Sequence, residues 1–187
     1  MKTLIFSIAL FISVSSFSQS FDGVAISGDL PTAIANFKAK GYTYTRTEDG
    51  VAILKGKVAK TYNVEVFIYT TPKSKKVCKL VAFLDEQNNW YSIKGEYERF
   101  VQIITDKYGN PDSKYNSFSS PYEEGDGYEM TAVAIEKCSY ASYWFDRSNT
   151  SIAVEISKYK QVKLAYENDA NMKIRKSELS TLESSSF

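Results

Sequence analysis

The sequence predicts an α+β fold in which tandem α-β4 units form an antiparallel sheet with helices packed on one face. Three observations predict it. Strict alternation recurs at Val64/Val66/Ile68, Ile152/Val154/Ile156 and Val162/Leu164/Tyr166, the mark of half-buried strands. Two segments carry apolar residues at helical spacing instead: Leu30, Ile34 and Phe37, then Ile93, Tyr97, Phe100, Val101, Ile104 and Tyr108. The order is one helix and four strands, then one helix and about four strands, which suits an antiparallel sheet covered on one face.

Each element has a local reason. A short strand is expected at residues 23–27. Asp29 is a helix N-cap with Pro31 in the first turn, and Gly41 stands where a left-handed C′ residue belongs, so a helix is expected over residues 30–40. Strands at 42–47 and 51–57 flank Glu48-Asp49-Gly50, a hairpin signal, and Gly56 reads as a bulge. NVEVFIYT follows as a half-buried strand, Thr71-Pro72-Lys73-Ser74 breaks it, and residues 77–85 form the next. Asn89 caps the second helix, which Gly109-Asn110-Pro111 ends. Residues 113–118 read as a strand and 121–127 as a loop. Residues 128–137 fit a short helix through Met130, Val133 and Ala134, or a strand through AVAI. Strands are expected again at 138–146, 151–157 and 161–167. The tail, residues 170–187, is polar and expected to fray.

The closing strands KLVAFLDE and VKLAYEND have similar shapes and acidic ends. They suggest an internal duplication, about 21–87 and 88–169, within one domain spanning 19–169.

Residues 1–18 have signal-peptide character. Lys2 gives a positive start, LIFSIALFISV an apolar core, and Ser16 and Ser18 the small residues of a cut before Gln19. The expected location is periplasmic or secreted. Lys2 also accounts for the chain's formal net charge of +1, so the exported part is neutral. A neutral chain without a long basic run argues against nucleic acid as a partner. No second apolar run approaches membrane-spanning length, so no membrane span is expected.

The chain has no histidine. Ser-His-Asp triads, Cys-His dyads and His-based zinc sites are therefore excluded, while carboxylate, Lys or Tyr chemistry survives. No cofactor is called for. Cys78 and Cys138 either form a disulfide, closing a loop of about 60 residues worth ~4 kcal/mol, or remain separate buried thiols. Cys78 alternates with Leu80, Ala82 and Leu84, as an inert core thiol would.

Further residues bring a family into view. The KYGNP helix ending, the PYEEGDGYEM loop, the following EKC and the ISKYKQVKLAYEND strand pair resemble a family of uncharacterised secreted proteins common in Bacteroidetes. The resemblance runs from about Phe21 to Asp169 and implies export without implying an activity. The tandem layout is similar to β-lactamase-inhibitor-protein-like and TBP-like architectures, a likeness of fold alone.

The candidate sites are few. Glu123, Glu124 and Asp126 could offer oxygens to calcium but lack the EF-hand ladder, and a solvated loop explains them. Glu96, Glu98 and Asp106 stand beside Lys94, Arg99 and Lys107 as a salt-bridged helix face. CSYASYWF sets Tyr140 and Trp144 on one strand face and Tyr143 and Phe145 on the other. Tyr143 and Phe145, with Phe67 and Tyr69, are the expected binding residues, forming an aromatic patch for a protein or glycan partner unless a loop or the tail covers them. The functional expectation is a non-catalytic exported binding module of the cell envelope. The alternative is a carboxylate-based hydrolase acting on envelope or dietary glycans.

Overall fold

The computed structural model describes residues 20–184. The leader assigned to residues 1–18 lies outside them. Two short strands, β1 (Ser20–Phe21) and β2 (Val24–Ala25), pair as a ribbon where one strand was expected. Helix α1 (Leu30–Ala39) follows, with the Asp29 side chain accepting from the Thr32 N–H at 2.8 Å. Strands β3 (Thr43–Glu48), β4 (Val51–Val58), β5 (Tyr62–Thr70) and β6 (Val77–Leu84) form the first meander. Helix α2 (Trp90–Tyr108) begins at Asn89, whose side chain accepts from the Ser92 N–H. The second half adds β7 (Ser113–Phe118), α3 (Glu129–Ala134), β8 (Cys138–Trp144), β9 (Thr150–Ile156) and β10 (Val162–Asn168). Residues 128–137 thus resolve as the short helix α3, which buries Ala132 and Val133.

All eight long strands join one antiparallel sheet in the order β3-β4-β5-β6-β10-β9-β8-β7. Each meander pairs sequential strands, as short connections favour. The two meanders meet through their last strands, with Leu164 opposite Ala82. The fold class is therefore the α+β arrangement the alternation predicts. Helices α1 and α2 pack on one face, where Phe37, Ile93, Tyr97, Phe100, Val101 and Ile104 share a core with the inward strand residues. Eight of the nine alternating residues are buried there, and Ile156, nearer the rim, packs against them.

Three local expectations need correction, and one open alternative closes. The tail does not fray: α4 (Asp169–Ser184) continues directly from β10. It crosses one end of the opposite sheet face, with Met172 and Arg175 beside Tyr69, Lys79 and Val81. Polar contacts pin it. The Asn171 side chain donates to the Val77 carbonyl at 2.7 Å and Arg175 to the Thr70 carbonyl at 2.6 Å. The Glu178 carboxylate accepts from the Lys73 N–H at 2.6 Å.

Gly56 is not a bulge. It stands in register with Val64, and a Cβ there would come within 2.3 Å of the Tyr42 ring, so the position needs a glycine for close approach. The β3–β4 irregularity falls between Tyr44 and Arg46 instead.

Cys78 does not share the core face with Leu80. A register shift between Tyr69 and Thr70 makes it the extra residue of a bulge. Its thiol donates to the Tyr69 carbonyl and lies beside Arg175, and burial raises its pKa.

No disulfide forms. Both cysteines are free, and β8 runs opposite to β6 three strands away, so they start at opposite ends of the sheet. That separation far exceeds the ~7 Å Cα limit for a bridge.

Candidate binding surface

The sheet face opposite the core is built in rows, because antiparallel pairing brings every second residue of each strand to the same side. One row reads Ile53, Phe67, Val81, Ala165, Ala153, Tyr143, Ser113. The next reads Lys55, Glu65, Phe83, Lys163, Glu155, Ala141, Tyr115. The first row is apolar with small residues at its centre. The second places oppositely charged residues side by side, and Lys163 pairs with Glu155 and Lys55 with Glu65.

All four residues expected to bind lie on this face, yet they form two clusters rather than one patch. Phe67 and Tyr143 occupy one row but stand four strand spacings apart, about 19 Å. Phe67 packs edge-on against Phe83, with ring centroids 5.8 Å apart. Tyr69 lies beside Met172 and Arg175, so the tail shelters this end, as one of the expected rival arrangements required. Across the sheet, Tyr143 stacks on Phe145 at 6.2 Å and meets Tyr115 edge-on at 6.1 Å. The Tyr143 hydroxyl donates to Glu155 at 2.7 Å, and burial together with that carboxylate pushes its pKa up. Phe145 is 50% exposed and Tyr115 54%.

Depressions separate the clusters. A groove of about 680 Å³ lies between Phe145 and helix α4, lined by Ser151, Met172, Leu179, Lys173 and Lys176 among others. A second, of about 420 Å³, is more polar and holds Phe83, Tyr143, Glu155, Ser157 and Lys163.

Phe83 and Tyr115 join this surface beyond the four expected residues, and the tail covers one end of it as a helix rather than as a frayed segment. Phe83 carried a signal, since it alternates with Lys79 and Val81 in VCKLVAFL. So did the tail, where Met172, Leu179 and Leu182 recur at i, i+7 and i+10.

The acidic loop has a structural task. Glu124 accepts from the Trp90 indole at 3.0 Å, from Lys94 at 2.5 Å and from the Tyr140 hydroxyl at 2.9 Å. The Lys94 contact and the two other donors hold its carboxyl at about 2. Asp126 caps the Glu123 and Tyr128 N–H groups within the loop. Among the described residues no group of three or more His, Cys, Asp or Glu is placed to hold a metal ion, and no helix is long and apolar enough to cross a membrane.

No family model, curated protein or solved structure matches the chain.

Proposed function

We propose that this protein is an exported, non-catalytic interaction module of the cell envelope that holds a protein partner on the open face of its sheet. One observation carries the reading. Six aromatic residues, Phe67, Tyr69, Phe83, Tyr115, Tyr143 and Phe145, project from the face opposite the core, and none of them is fully covered. Aromatic rings with polar tips, set among ion pairs on a broad surface, suit protein recognition. The signal-like leader and the resemblance to secreted proteins support export.

The hydrolase alternative fits less well. A glycosidase needs one carboxyl raised and another free, both at a cleft. Of the carboxylates lining the grooves, Glu155 is engaged by Tyr143 and Lys163, Asp169 by Ser151 and Glu136 by Lys158, so Asp146 has no second free carboxyl to work with. Burial raises Glu96, but it sits on α2 beside Gln87 and lines neither groove.

Site-specific photo-crosslinking in the source organism tests the reading. A photoreactive residue at Phe145 should give one discrete protein adduct. The same probe at Tyr91, 89% exposed on α2, should not. Equal labelling at both positions, or a glycan adduct at Phe145, would refute a protein partner on this face. Mass spectrometry of the mature chain should find its N-terminus at or near Gln19, and an intact Met1 would refute export.

A further inference from the structure

The sheet ends in two edge strands, β3 and β7, and they are not equivalent. An exposed edge is a template for another strand, and natural proteins guard it with bulges and charges. Edge β3 carries both, an irregularity between Tyr44 and Arg46 and the charged pair Arg46–Glu48. Edge β7 runs in unbroken register with β8 from Ser113 to Phe118, and its single charge is Lys114.

The backbone of β7 offers a defined set of free groups. The Ser119 N–H donates to the Lys137 carbonyl at 2.8 Å, which fixes the parity of the ladder. Bonded pairs with β8 then fall at Ser113, Tyr115 and Ser117. Lys114, Asn116 and Phe118 turn their N–H and C=O groups outward. Another extended strand satisfies such a row.

From this geometry we infer that the partner at β7 is a second copy of the same chain, with β7 pairing antiparallel to β7 across a two-fold axis at Tyr115. The strand is self-complementary in that register. Lys114 faces Asn116 of the other copy, so four backbone hydrogen bonds form from groups that now point to water. Ser113 faces Ser117, and no charge meets its like. Tyr115 falls opposite itself in a non-hydrogen-bonded pair, where side chains approach most closely. The Tyr115–Tyr143–Phe145 cluster then continues into its symmetry copy. The join repeats what the chain does internally, where β6 and β10 fuse two four-stranded meanders edge to edge. The inference stands apart from the proposed function, because its test needs no other partner.

Sedimentation of the mature chain should show a monomer–dimer equilibrium. Asn116→Pro removes an outward N–H that makes no bond to β8, so the monomer should fold while two intermolecular hydrogen bonds are lost, weakening dimerisation about thirtyfold. Tyr115→Lys places like charges opposite one another and should weaken it about fivefold without relying on a proline. Tyr115→Cys should give a covalent dimer on mild oxidation, whereas Ser117→Cys, which faces Ser113, should not. Tyr91→Ala should change nothing. A wild-type chain that stays monomeric at its highest soluble concentration overturns the inference. So does a dimer that survives both Asn116→Pro and Tyr115→Lys, or that Ser117→Cys traps as readily as Tyr115→Cys.

Discussion

Substituting Glu124 by Gln should cost stability at neutral pH and almost nothing in acid. The carboxylate collects the Trp90 indole, the Lys94 ammonium and the Tyr140 hydroxyl, and so ties the 121–127 loop to α2 and β8. These donors lower its pKa from 4.5 to about 2. Taken in full, that fall would be worth about 3 kcal/mol. The Glu124 side chain is 43% exposed, so solvent screening cuts the figure to about 1–1.5 kcal/mol. The sign follows from linkage. A group whose folded pKa is depressed adds stability above its unfolded value, and this stability is lost as pH falls through the folded value. The contribution should therefore be complete above about pH 5 and fade between there and about pH 2. Urea unfolding of wild type and Glu124→Gln, followed by tryptophan fluorescence at several pH values, measures the difference. Trp90 reports the loop directly, since its indole donates to Glu124. A gap as large at low pH as at neutral pH, or no gap at neutral pH, would refute the reasoning.

Three further outcomes are expected. Gly56→Ala should destabilise by about 1–3 kcal/mol, since its Cβ would strike a Tyr42 ring already packed on Phe37 at 5.1 Å; an unchanged melting temperature would contradict the close approach. Truncation after Asn168, in a Cys138→Ser background that leaves Cys78 as the one thiol, should open Cys78 to a reagent that spares it in the full-length chain, because α4 brings Arg175 over that bulge; equal reactivity in both would show that α4 does not shield it. Val154→Ala should cost about 1–3 kcal/mol in urea unfolding, because Val154 is fully buried between β8 and β10; a loss well below 1 kcal/mol would contradict its place in the core.

Most of the fold was legible because its signals are local. Alternation at Val64/Val66/Ile68 and at Val162/Leu164/Tyr166 reports a strand with one wet face, whatever its neighbours. The caps at Asp29 and Asn89 fix helix starts through bonds spanning three residues. The binding surface was half legible for the same reason. Parity in CSYASYWF sends Tyr143 and Phe145 away from Tyr140 and Trp144, and the structure keeps that division. Parity cannot say how far apart two strands lie. The strand order sets β5 four positions from β8, and this alone splits the expected patch into two clusters.

The sequence by itself thus determined the periods, the caps and the side of each strand that faces the core, since these depend on residues a few places apart. Tertiary structure decided what depends on distant partners. Glycine at 56 answers to a ring fourteen positions earlier, and Cys78 leaves the core face because a shift in its pairing with β5 inserts it as a bulge. The tail becomes a helix because the sheet supplies what its polar composition lacks. Isolated helices of its length are marginal in water, and α4 gains carbonyls at Val77 and Thr70, an N–H at Lys73 and the neighbouring side chains of Tyr69 and Val81.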